Sequence, residues 1–145
     1  VWDAATIANI LAGIAAALHH CQSVGVVHRD VQPDNILCMP DGRWVLNDFG
    51  SAALADPAEL TVPVSRSNVP APGSPAFTAP EVHEGIQAAI DGRATAIKYA
   101  KADVWSLGAV LFVLAHGSHP WPGATASARD RRRGTTQRLF APQTL

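Results

Sequence analysis

Two short stretches of this chain carry side chains suited to chemistry. His28-Arg29-Asp30-Val31-Gln32-Pro33-Asp34-Asn35 sets a carboxylate at Asp30 and an amide at Asn35, five positions apart. Asn47-Asp48-Phe49-Gly50 adds a second carboxylate eighteen residues after the first. A carboxylate within hydrogen-bond reach of a hydroxyl can take up or orient its proton. Carboxylate and amide oxygens together are hard donors of the kind that small divalent cations select. Each stretch alone is a weak signal, so its meaning depends on what brings the two together.

The intervening residues supply that link. Ile36-Leu37-Cys38 and Trp44-Val45-Leu46 are short apolar runs on either side of Pro40-Asp41-Gly42-Arg43, whose Pro-Asp-Gly is turn chemistry. The spacing predicts a β-hairpin that carries one polar cluster at each end and so juxtaposes them. Upstream, Ile7, Ile10, Leu11, Ile14 and Leu18 recur at helical spacing within an alanine-rich run from Asp3 to Cys21. Asp3 fits an N-cap, and Gly25 lies just past the end. Downstream, helices are expected over Pro80 to Ala89 and over Ala102 to His116, the latter ended by Gly117 and Pro120. With Val104, Leu107, Val110, Leu111, Val113 and Leu114 distributed round it, the last helix is expected to be buried. Between them, 51 to 80 shows little periodicity and carries prolines at 57, 63, 70, 72 and 75. It reads as a long loop without secondary structure, which inside a compact domain is usually functional or disordered.

These residues, in this order, resemble the large lobe of eukaryotic-type protein kinases of the Ser/Thr type. The first cluster is similar to the family's catalytic loop and Asp48-Phe49-Gly50 to its metal-binding triplet. Ala79-Pro80-Glu81, preceded by Gly73-Ser74-Pro75-Ala76-Phe77-Thr78, looks like the substrate-docking segment, and Asp103-Val104-Trp105-Ser106-Leu107-Gly108 like the opening of the family's buried helix. Four motifs in sequence order are far more specific than any one. The resemblance covers residues 3 to 122. It implies an α+β, mainly α fold: a partial large lobe with a small β-hairpin and without the small lobe, over residues 1–122, followed by a divergent, flexible tail at 123–145.

The resemblance also implies a chemistry, transfer of the γ-phosphate of ATP to Ser/Thr hydroxyls of a protein substrate, with ATP and Mg²⁺ as cofactors. Such transfer passes through a loose transition state, so the protein mostly positions reactants and stabilises charge. By carry-over, Asp30 is the catalytic acid–base residue, with Gln32 and Asn35 beside it. Asn35 and Asp48 hold the metal, Gln32 faces the nucleotide's phosphates, and Leu37 lies under the adenine. His28 and Phe49 become packing links, and Asp103 ties the catalytic loop's backbone to the buried helix. Arg29 suggests control by a phosphorylated segment, with Thr61, Ser65 and Ser67 as acceptors, although Ala52 and Ala53 supply no second basic group.

Two departures stand against this frame. Gln32 occupies the position where Ser/Thr-specific members have lysine; a neutral amide can donate a hydrogen bond but cannot neutralise developing charge. Removing one such donor costs roughly 3–4 kcal/mol, and a glutamine less than that. Within the 145 residues there is also no glycine-rich loop, no V-A-I-K-type strand lysine and no arginine placed to pair with Glu81. These residues alone are therefore expected not to transfer phosphate. Two alternatives stay open: a non-catalytic relative acting as a binding module, and a small-molecule phosphotransferase of related fold, against which the docking segment argues.

Composition adds boundaries. The net charge of −1, from 11 basic and 12 acidic side chains, provides no field to attract nucleic acid, and neither nucleic acid nor membrane is expected as a partner. The nearly apolar run Val104 to Ala115 is too short to span a bilayer. Two cysteines, Cys21 and Cys38, make no disulfide framework and are expected as buried small apolar groups in a reducing, intracellular, cytoplasmic setting. The adjacent His19, His20 and Cys21 cannot converge on one ion from a helix. Arg129-Asp130-Arg131-Arg132-Arg133 reads as a solvated tail, and Trp121 as a lid on the core.

Overall fold

The structure is a computed structural model that describes residues 2–56, 58–70 and 74–121. Pro57, Pro72, Gly73 and the expected tail at 123–145, with its arginine cluster, lie outside the described residues. The first helix begins where its cap dictates. Asp3 Oδ1 accepts from the Thr6 N–H at 2.9 Å, satisfying a backbone donor that the first helical turn leaves orphaned, and Oδ2 accepts from the Thr6 hydroxyl at 2.7 Å. Helix α1 then runs over Ala4–Ser23, and Gly25 (φ 72°) turns the chain out of it. Ile10, Ile14 and Leu18 are buried while Leu11 is exposed. The apolar stripe is thus narrower than the five-residue face expected, with Leu11 at its margin about 20° beyond the buried Leu18. This helix is long and apolar enough to cross a membrane by length and composition, which the run at Val104 to Ala115 is not. Its buried side here packs against the rest of the fold.

Strand β1 (Val26–Val27) leads into the first polar cluster. Strands β2 (Ile36–Cys38) and β3 (Trp44–Leu46) form the expected hairpin, in the register Ile36↔Leu46, Leu37↔Val45, Cys38↔Trp44. Its turn is closed by Met39 N–H to Arg43 O at 2.8 Å, with Gly42 at φ 83°.

The long segment that follows is not structureless. Strand β4 (Ala53–Leu54) pairs antiparallel with β1, and β5 (Thr61–Val64) pairs antiparallel with β6 (Thr95–Lys98). Pro63 hid β5 from a pattern reading, yet a two-stranded ribbon leaves each strand an open edge where a missing N–H is tolerated. Helix α2 spans Pro80–Ile90 and α3 spans Tyr99–His116, stopped by Gly117 at φ 74°.

Two clusters of buried side chains result. The first joins Ile10, Ile14 and Leu18 of α1 to Ile36 and to Leu107, Val110 and Leu114 of α3, with Phe77 and the edges of Trp2, Trp44 and Trp121. The second joins Val27, Val64, Val82, Ile97, Tyr99 and Ala102. Helix α3 is therefore buried on one side only: Val104 is 57% and Trp105 42% exposed. Cys21 is buried, whereas Cys38 is only half-buried at the end of β2. Trp121 packs on the first cluster and stacks with Trp105, ring centres 5.7 Å apart.

Candidate active site

The polar residues of the first cluster are positioned by one buried carboxylate. Asp103, 2% exposed near the start of α3, accepts from the His28 N–H through Oδ2 and from the Arg29 N–H through Oδ1, each at 2.8 Å. Burial pushes this carboxyl's pKa up, against the pull of those same two bonds. The tie fixes a loop that leaves Arg29 at φ 68°, a conformation costly for a residue with a side chain and kept only where neighbours over-determine it.

From there the loop turns inward and outward by residue. His28 is fully buried. Its Nε2 donates to the Asn47 carbonyl at 3.0 Å and its Nδ1 accepts from the Asp30 N–H at 3.3 Å, an arrangement that requires the tautomer with its proton on Nε2. The ring meets Phe49 edge-on, centres 4.8 Å apart. Phe49 is nevertheless 47% exposed, so it links to His28 rather than into the core.

Asp30 Oδ2 is the convergence point. It accepts from Gln32 Nε2 and from Asn35 Nδ2, both at 2.9 Å, and Asn35 Nδ2 also donates to the Asp30 carbonyl at 2.7 Å. With both amide N–H directions committed to Asp30, the Asn35 side-chain oxygen must point away from that carboxylate. A 3₁₀ turn over Pro33–Asn35 delivers Asn35 into this position, 5% exposed. The Asn35 carbonyl in turn accepts from the Asn47 N–H at 2.8 Å, the bond by which the hairpin draws the second cluster against the first.

Asp48 follows Asn47 directly. It is exposed, sits at φ 59°, and caps a 3₁₀ turn by accepting from the Gly50 N–H at 3.1 Å. A Cβ on Gly50 would lie 3.0 Å from Asp48 Oδ1, a close approach of the carboxylate over the turn. Leu37 lies mid-strand in β2, half-buried opposite Val45. The structure thus joins Asp30, Gln32 and Asn35 in one hydrogen-bonded group, connects Asp48 to them through Asn47 and His28, and holds Leu37 on the adjoining strand.

These 145 residues match the protein kinase domain family over residues 1–143. The chain belongs to the protein kinase family. Among its relatives are CBL-interacting protein kinase 4 of Oryza sativa subsp. japonica, 41% identical over 124 residues, or 86% of this chain and 24% of that protein. CBL-interacting serine/threonine-protein kinase 7 of Arabidopsis thaliana is 39% identical over 119 residues, 82% of this chain and 24% of the relative. The DNA damage-responsive serine/threonine-protein kinase RqkA of Deinococcus radiodurans is 41% identical over 107 residues, 74% and 14% respectively. The chain spans about a quarter of the length of the plant relatives.

Within the kinase frame, three features were not legible in the sequence. Arg29 turns its guanidinium onto the carbonyls of Ser51 and Ala52 and lies 5.6 Å over the Tyr99 ring. The Asn47 backbone, rather than its side chain, ties the two clusters together. Ser74 in the docking segment has a buried hydroxyl without a hydrogen-bond partner, in a small cavity that Arg29, Asp30 and Asp103 also line. The only sequence signal for any of these is the identity of neighbouring motifs.

Proposed function

We propose that this chain carries the phosphoryl-transfer loop of a Ser/Thr protein kinase that uses ATP and Mg²⁺. The observation that carries the reading is the double amide grip on Asp30: Gln32 and Asn35 both donate to the same carboxylate oxygen. Such a grip leaves the other oxygen, Oδ1, as the one available to a substrate hydroxyl. A general base has to be held in a fixed orientation to act on a bound hydroxyl, and Asp30 is so held.

The donor set also suits the metal. No group of three or more His, Cys, Asp or Glu side chains among the described residues could enclose an ion. A cation here would be held by the Asp48 carboxylate, the Asn35 amide oxygen, phosphate oxygens and water, which is how Mg²⁺ is bound in nucleotide sites. Held there, Mg²⁺ would supply positive charge to offset that of the nucleotide phosphates. Asp48, exposed beside the Gly50 turn, presents its carboxylate for that role, and Leu37 on β2 offers an apolar surface to the adenine. Gln32 orients Asp30 and donates no positive charge, so the reaction is expected to be slow. The covering half of a nucleotide site is not encoded within the 145 residues, and by themselves these residues transfer no phosphate.

The test is transfer of labelled phosphate from ATP to serine- and threonine-containing peptides by the full-length protein with Mg²⁺. Asp30→Asn should abolish it and Asp48→Asn should raise the Mg²⁺ requirement. Full-length protein that binds peptide but shows no Asp30-dependent transfer would instead mark a non-catalytic binding module.

A further inference from the structure

We propose that strand β6 is a built-in brace that holds the segment between the Asp48 turn and helix α2 in place without any phosphate on that segment. The brace is the pairing of β5 with β6, in the register Thr61↔Lys98, Val62↔Ile97, Pro63↔Ala96, Val64↔Thr95. It joins a stretch more than thirty residues away to the chain directly before α3, the helix that also carries Asp103.

Three features fix it. Val64 and Ile97, 2% and 3% exposed, are both anchored in the second core cluster. Ile97 fills a notch at Gly85 of α2, where an added Cβ would lie 2.6 Å from its Cγ1 and Cδ1; helix and strand are therefore packed as closely as glycine allows. At the open end, Lys98 Nζ meets Glu59 Oε2 at 2.7 Å, an exposed pair that marks the register more than it adds stability.

The groups that would otherwise wait for a phosphate are already engaged. The Arg29 guanidinium is committed to the Ser51 and Ala52 carbonyls and to Tyr99. Beyond β5, Asn68 accepts from the Ser65 hydroxyl at 2.9 Å and donates to the Pro63 carbonyl at 3.0 Å, closing the turn internally. Before β5, Asp56 accepts from the Ala58 and Glu59 N–H groups at 2.9 and 3.1 Å. The Asn68 side chain thus caps one end of the strand, and at the other the Thr61 carbonyl accepts from the Asp56 N–H at 3.0 Å. Ala79, near the end of the docking segment, shares the second cluster with Val64 and Ile97, so the brace supports that end of the segment. That consequence for transfer rests on the protein-kinase reading, whereas the pairing itself does not.

Amide hydrogen exchange on the full-length protein, after complete phosphatase treatment, tests the brace separately from catalysis. The hydrogen-bonded amides of 61–64, where Pro63 has none, and of 95–98 should stay protected, with less than about a twofold change on dephosphorylation. Ile97→Ala should speed exchange in both strands by about tenfold or more while α1 remains protected. Gly85→Ala should do the same by expelling Ile97, and adding Gly85→Ala to Ile97→Ala should cause little further change, because both clashing atoms, Cγ1 and Cδ1, are then gone. Loss of protection in the wild-type protein on dephosphorylation would overturn the proposal, as would unchanged exchange in a folded Ile97→Ala variant. The dephosphorylation comparison needs no variant to fold. A protein that keeps the protected strands but transfers no phosphate would leave the brace standing and refute the kinase reading alone.

Discussion

Gln32 decides how strongly Asp30 is assisted, because its amide is one of the two donors on the Asp30 Oδ2 atom. Under the proposed phosphoryl-transfer reading, lysine at this position would keep a donor and add a full charge beside the phosphates. Gln32→Lys should therefore raise kcat by about tenfold or more with little change in peptide KM, a smaller effect than the roughly 100- to 1,000-fold attached to losing such a donor outright. Steady-state kinetics on the full-length protein reads this directly. Asp103 gives the second prediction at this scale. Its raised pKa means the folded chain holds the carboxyl proton more tightly than the unfolded chain does. The stability this group contributes is complete below its ordinary value of 3.8 and is lost as pH rises through the folded value. Asp3, Asp41 and Asp91 run the other way: side-chain bonds from Thr6, Arg43 and Gln87 lower their pKa values, so their contribution is lost as pH falls below that range. Asp103→Asn offers one oxygen to two N–H groups and should destabilise by about 1–3 kcal/mol near pH 4. Urea unfolding of both proteins should show that gap shrinking as pH rises, and exchange at the His28 and Arg29 amides should quicken.

Among the elements, α1 carries the hairpin by contact at one glycine. A Cβ on Gly13 would sit 2.6 Å from the Trp44 carbonyl oxygen and 3.3 Å from the Trp44 Cβ. The obstacle is backbone, which cannot swing aside as a side-chain tip can. Gly13→Ala gains about 1 kcal/mol of helix propensity but forces β3 away from α1, for a net loss of about 1–3 kcal/mol by chemical denaturation. Gly108 in α3 is the control: nothing among the described residues lies within 4 Å of its added Cβ, so Gly108→Ala should stabilise by about 0.5–1 kcal/mol. The hairpin, α1 and α2 were legible because their signals are local: the Asp3 cap, the 3.6-residue stripe and the turn at Gly42 all act within a few residues. Strands β5 and β6 were not, since each is four residues long and defined only by a partner more than thirty positions away. The exposed side of α3 was missed for a related reason, because apolar residues at Val104 and Trp105 report what a helix can bury and not what lies opposite. In the site, the residue types of Asp30, Asn35 and Asp48 were readable, while the grip on Asp30 and the bend of Arg29 toward Ser51 belong to tertiary geometry that spacing does not encode.

At the scale of the whole molecule, the site lies on the seam between the two buried clusters. Val27 belongs to the second cluster and Val31 to the first, so His28, Arg29 and Asp30 cross from one to the other. Helix α3 crosses too: Tyr99 and Ala102 face the second cluster, Leu107 to Leu114 the first. The clusters are unequal. The first contains the large side chains of two long helices, while the second has fewer members and three alanines among them, Ala79, Ala89 and Ala102, so it has less apolar side chain to bury. It should therefore open first. Native-state exchange at increasing denaturant should place the amides of α2, β5 and β6 in one unit, opening at about 1–2 kcal/mol less than those of α1 and the C-terminal half of α3. The first turn of α3 should exchange with the weaker unit, and the Asp103 tie to His28 and Arg29 would then loosen without global unfolding. A single exchange free energy across all these elements would show that the clusters unfold as one, and that the seam through the site has no mechanical independence.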